Sequence, residues 1–124
     1  MRFVSIVALL ALLEYLVIAL QTGRARVTHN VQAPATTGHP MFERWYRVQH
    51  NTIEQLVMFL PALFLFANYA SPRLAGWLGL TFIVGRIIYA RSYLADPAAR
   101  GPGFTIGFVA ILVLLVGALL GALF

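Results

Sequence analysis

From Phe104 to Phe124 the chain carries no charged side chain. That run matches the ~20 residues, each rising 1.5 Å, that a helix needs to cross about 30 Å of hydrocarbon. A helix apolar on every side must be buried all round in water, whereas a bilayer removes that requirement. Further long apolar runs begin at Phe3, Leu56 and Leu74. Composition agrees: 60% of residues are hydrophobic and 10% charged, with mean hydropathy +0.82, against about 25% charged in an ordinary soluble domain. The expectation is an all-α membrane protein, a single domain over residues 1–124. Its four transmembrane helices should run at about 3–21, 41–70, 74–93 and 104–124, joined by polar segments at about 22–40 and 94–103.

The first run has the look of a secretory signal, but Glu14 interrupts it, only Arg2 precedes it, and no small-x-small cleavage site follows before the arginines. It reads as a retained span. In the second, Pro61 is expected to bend the helix without ending it, because neighbouring helices can satisfy the freed carbonyl. Ser71-Pro72-Arg73 marks a tight reversal. Asp96-Pro97 reads as an N-cap followed by proline at the first helical position, opening a short helical turn that Gly101-Pro102-Gly103 should break.

All nine basic residues are arginine, against four acidic ones, giving a net charge of +5. Arginine keeps its charge when desolvated and grips carboxylates with a planar fork of donors, which leans toward anion recognition. Nucleic acid is set aside, because the arginines form no stripe interleaved with aromatics outside the apolar segments. The chain has no cysteine, so any thiol chemistry must come from a substrate. His29, His39 and His50 lack metal-ligand spacing, and no metal site is expected. Arg24, Arg26, Arg44, Arg47, Arg86, Arg91 and Arg100 fall at one membrane face, with only Arg2 and Arg73 at the other. Positive charge is retained on the cytoplasmic side, so the polar loops should face the cytoplasm and both termini should lie outside it.

On a helix turning about 100° per residue, Arg44, Arg47, Asn51 and Glu54 fall within an arc of roughly 80°. Arg86, Tyr89 and Tyr93 share a face of the third helix in the same way. A charge at the centre of a membrane helix costs about 2.5–3.5 kcal/mol on insertion scales, so these faces should look toward each other or toward a neighbouring subunit. Glu54 and Arg86 are candidates to neutralise one another, leaving the other arginines for an anion.

The stretch from Thr36 to Glu54, with Phe42-Glu43-Arg44 followed by Arg47-x-x-x-Asn51-x-x-Glu54, resembles the MAPEG family, membrane-associated proteins in eicosanoid and glutathione metabolism. Gly85-Arg86-Ile87-Ile88-Tyr89-Ala90-Arg91-Ser92-Tyr93 is similar to the family's arginine and paired tyrosines near the end of helix three. The resemblance implies a homotrimer of four-helix subunits in the lipid bilayer, with glutathione sites between neighbouring subunits near the cytoplasmic face. It implies glutathione contacts for Arg47, Asn51, Glu54, Arg86, Tyr89 and Tyr93, with further ones at Arg26 and Gln49, and thiolate stabilisation by Arg100. Two departures stand out: Gln55 replaces the tyrosine that often follows the glutamate, and Val57 replaces a commoner proline, with Pro61 one turn later.

The residue types suit that ligand on their own terms. Glutathione carries two carboxylates and one ammonium, which calls for several cations and at least one anion, here Glu54. A guanidinium beside sulfur favours the thiolate of a thiol whose ordinary pKa is about 8.5. The second substrate would be a lipophilic electrophile or a lipid hydroperoxide arriving through the bilayer.

Two other readings remain open at this level. A carboxylate in helix one, Glu14, also suits a small proton-coupled multidrug exporter, although a cationic vestibule opposes cation export. A non-catalytic lipid-binding relative is the other. Gly117-Ala118-Leu119-Leu120-Gly121 reads as a helix-packing element, within or between subunits.

Overall fold

A computed structural model describes residues 1–124 as four long helices: α1 (Arg2–Thr28), α2 (Pro40–Tyr69), α3 (Pro72–Ala95) and α4 (Gly101–Leu123), with a 3-10 turn at Pro97–Arg100. All four are long and apolar enough to cross a membrane. They run up-down-up-down, so the end of α1, the start of α2, the end of α3 and the start of α4 meet at one end of the bundle. Most of the arginines gather at that end.

The helix starts use the signals in the sequence. Ser71 Oγ accepts from Leu74 N at 3.1 Å and Pro72 follows it, while Asp96 Oδ1 accepts from Ala98 N at 3.1 Å with Pro97 next. His39 caps α2 through Nδ1, which accepts from Met41 N at 3.1 Å. α2 continues through Pro61, as expected.

Two boundaries differ from the sequence reading. α1 does not stop at Gln21 but continues to Thr28, so Arg24 and Arg26 stand on a helix rather than in a loop. Loss of hydropathy there marks emergence from hydrocarbon, and the segment contains no proline to end it. Thr22 Oγ1 shares its one proton between the Ile18 carbonyl and the Trp45 carbonyl of α2, at 2.9 and 3.2 Å, and Ala25 is buried near Phe42 and Val31. Gly101-Pro102-Gly103 does not break the chain either; it is the first turn of α4. Proline is tolerated in a first turn because its missing N–H would have had no partner there. Gly103 is needed because a Cβ at that position would overlap the Tyr89 backbone nitrogen, so α3 and α4 cross in near contact beside the arginine-rich end.

The main apolar cluster draws on all four helices, with the rings of Phe59 and Phe82 stacked 3.9 Å apart between α2 and α3. The Gly117–Gly121 element packs within the chain. A Cβ at Gly117 would overlap the Phe66 ring, and one at Gly121 would lie 2.7 Å from the Tyr69 carbonyl oxygen, so it lets α4 approach α2.

Candidate active site

Arg86 is the largest fully buried side chain, 1% exposed, and its surroundings explain how a charge is held there. The Thr52 hydroxyl donates to the Val48 carbonyl of its own helix at 2.7 Å, which commits its single proton. Its oxygen then accepts from Arg86 Nη2 at 2.8 Å. The guanidinium carbon lies 4.2 Å from the centroid of the Tyr89 ring, a cation–π contact. One arginine on α3 is thereby locked to α2 and to the next turn of its own helix. The expected pairing of Arg86 with Glu54 does not form: Glu54 is exposed, and buried Arg86 finds Thr52 instead. Thr52 had no sequence signal, because its partner lies 34 residues away.

Tyr89 carries the arrangement onward. Its ring centroid is 5.7 Å from that of Tyr93 and 6.4 Å from that of Phe104 on α4. Asn51, Tyr89, Arg100, Gly101 and Phe104 line a cavity of about 180 Å³ where α2, α3 and the start of α4 converge. The Oδ1 of Asn51 is shielded and has no hydrogen-bond partner. Arg100 is held by a bond from its Nη1 to the Pro97 carbonyl at 2.9 Å. A guanidinium has five N–H donors, so others remain for a ligand. Arg47 and Glu54 are exposed about one turn before and after Asn51 on the same side of α2.

Seven of the nine expected site residues therefore occupy one region: Arg47, Asn51, Glu54, Arg86, Tyr89, Tyr93 and Arg100. The other two lie elsewhere within a single chain. Gln49 is about 200° around α2 from Arg47, and its Nε2 donates to the Tyr15 hydroxyl of α1 at 3.3 Å. Arg26 donates to the Ala35 carbonyl at 2.8 Å and the Val31 carbonyl at 3.4 Å, with its guanidinium 4.5 Å over the Phe42 ring. Arg44, grouped by helical spacing with Arg47, instead reaches the C-terminus of α3, donating to the Leu94 and Ala95 carbonyls at 2.9 and 3.3 Å. That is a favourable place for a cation, because the last carbonyls of a helix lack intrahelical partners. Gln55, at the first departure from the family pattern, is buried, 7% exposed.

A family model matches residues 4–120, described as the MAPEG family. The chain belongs to the MAPEG family. It is therefore a multi-pass membrane protein, and the exporter reading loses its basis. It is 46% identical over 119 residues to an uncharacterized protein of Synechocystis sp., covering 96% of this chain and 87% of that one. It is 37% identical over 111 residues to human microsomal glutathione S-transferase 2, covering 88% and 76% of the two chains. Guinea-pig (Cavia porcellus) leukotriene C4 synthase is 37% identical over 94 residues, 76% of this chain and 63% of that protein.

Proposed function

We propose that this protein is a glutathione-dependent membrane transferase, which conjugates glutathione to lipophilic electrophiles or uses it to reduce lipid hydroperoxides. The observation that carries the reading is the cavity in which Arg100, Tyr89 and Asn51 converge, with the Asn51 Oδ1 unpartnered. A buried acceptor without a donor costs about 1–3 kcal/mol, so a ligand that donates to Asn51 gains by it. A peptide N–H of glutathione fits that requirement. Its carboxylates suit the exposed Arg47, with buried Arg86 supporting the Tyr89 ring from behind, and its ammonium suits Glu54.

Gln49 and Arg26 support a site shared between subunits. Both stand away from the seven-residue cluster within one chain, and a neighbouring copy in a homotrimer would bring them to it. The arginine-rich end would face the cytoplasm, where positive charge is retained.

Arg100 stabilises the glutathione thiolate. In conjugation the thiol proton leaves to solvent and a sulfur lone pair forms the new C–S bond. The electrophile's leaving group departs with its bonding pair; an epoxide oxygen takes up a proton instead. In peroxide reduction two glutathione thiols convert a hydroperoxide to alcohol and water, and become one disulfide.

Arg100→Ala should lower turnover with a model electrophile far more than it lowers glutathione affinity measured by calorimetry, and should abolish the thiolate absorbance that the parent is expected to show on binding. Equal, small losses in turnover and affinity would remove Arg100 from the chemistry. No binding at millimolar glutathione would overturn the function itself.

A further inference from the structure

Arg86 has a second side. Between α1 and α3 lies a groove of about 450 Å³, apart from the cavity at Arg100, lined by Leu10, Leu13, Val17 and Ile87 among other apolar side chains. Three ionisable side chains interrupt that apolar lining: Arg91, exposed at its arginine-rich end, and Glu14 and Arg86 deeper along the groove. Both carboxyl oxygens of Glu14 and the Nε of Arg86 are shielded and have no hydrogen-bond partner. Glu14 lies roughly 18 Å along α1 from its start, at 1.5 Å per residue, near the middle of a ~30 Å hydrocarbon layer. Water does not serve such groups at that depth, and each one left unpaired costs several kcal/mol.

What fills the groove must therefore meet both groups while lying among apolar side chains. A cationic head would pair with Glu14 but oppose Arg86, and an anionic head would do the reverse. A neutral hydroxyl satisfies both, donating its proton to the Glu14 carboxyl and accepting from Arg86 Nε–H. A single alkyl chain suits the remaining lining, and the volume falls within the ~300–1,000 Å³ of small-molecule sites.

We infer that the α1–α3 groove is a binding site for a long-chain alcohol, a hydroxylated single-chain lipid that enters laterally from the bilayer with its hydroxyl between Glu14 and Arg86. This site needs no glutathione, so it stands or falls separately from the proposed activity.

Trp45 lines the groove, whereas Trp77, the other tryptophan, stacks edge-on against Phe3 with ring centroids 5.4 Å apart. A Trp77→Phe protein in phosphatidylcholine nanodiscs makes Trp45 the sole reporter. The probe is 2-bromododecan-1-ol, whose bromine quenches tryptophan beside the hydroxyl end, and the comparison is 2-bromododecane. Saturable quenching by the alcohol is expected at a mole fraction at least fivefold below that of the alkane. Glu14→Gln should raise the midpoint fivefold or more, and Ala90→Phe, which places a ring in the groove, should abolish saturation. Equal midpoints for alcohol and alkane, or no effect of Glu14→Gln, would overturn the inference. So would linear quenching throughout, the result expected if a second copy of the chain covers the groove. The alcohol–alkane contrast requires neither groove variant, so the test stays intact even where Glu14→Gln or Ala90→Phe prevents folding.

Discussion

Replacing Thr52 by valine removes one oxygen and almost no volume, and its effect follows from two bonds. The Thr52 hydroxyl joins the Val48 carbonyl to Arg86 Nη2 through contacts of 2.7 and 2.8 Å. In Thr52→Val the Val48 carbonyl keeps its helical partner, but Arg86 loses its acceptor while remaining 1% exposed. A buried donor deprived of its partner costs about 1–3 kcal/mol, and more when charged, so a loss of about 2–3 kcal/mol is expected. For a chain of this size that lowers Tm by roughly 8–15 °C, taking about 4–5 °C per kcal/mol. Thermal unfolding of the purified protein in nanodiscs, followed by tryptophan fluorescence, measures it. Thr52→Ser restores the oxygen and should recover most of the loss, and the same order should appear in glutathione affinity because Arg86 supports the Tyr89 ring. A valine variant as stable as the parent, or a serine variant as unstable as valine, would refute the assignment of Thr52 as the acceptor that holds Arg86.

Arg44→Ala should free the last turn of α3 at a cost of about 1 kcal/mol, seen as faster amide exchange near Ser92–Asp96 with no change in α1. Gly103→Ala forces a methyl group into the Tyr89 backbone; it should destabilise the bundle by about 1–3 kcal/mol and weaken glutathione binding, read by unfolding and calorimetry on the same sample. Gly23→Ala, on the exposed side of α1 where an added methyl meets no neighbouring atom, is the control and should lower neither. Glu54→Ala should weaken glutathione binding at least tenfold while leaving Tm unchanged, since Glu54 is exposed; unchanged affinity by calorimetry would exclude its pairing with the ligand ammonium.

Reading the sequence for polarity found the crossings but misplaced some ends. The polar residues after Gln21 resembled a loop, yet the helix goes on to Thr28, because a helix leaving hydrocarbon needs only capable residues and no further apolar run. Gly101-Pro102-Gly103 resembled a break for a similar reason: glycine and proline punctuate a chain in general, but at a helix start they suit a close crossing and a missing donor.

The sequence by itself determined the solvent, the number of spans, the concentration of arginines at one end and the helical register that puts Arg47, Asn51 and Glu54 on one side of α2. These are properties of composition and of a fixed turn per residue, so no tertiary knowledge enters. Only the packed bundle decided which arginine does what. Arg44 closes the end of α3, Arg26 clamps the segment after α1, Arg86 is buried against Thr52 and Tyr89, and Arg100 lines the open cavity. Nine identical side chains give the sequence no means of telling them apart. What separates them is which carbonyl, hydroxyl or ring lies within about 3–6 Å, and those partners come from residues distant along the chain.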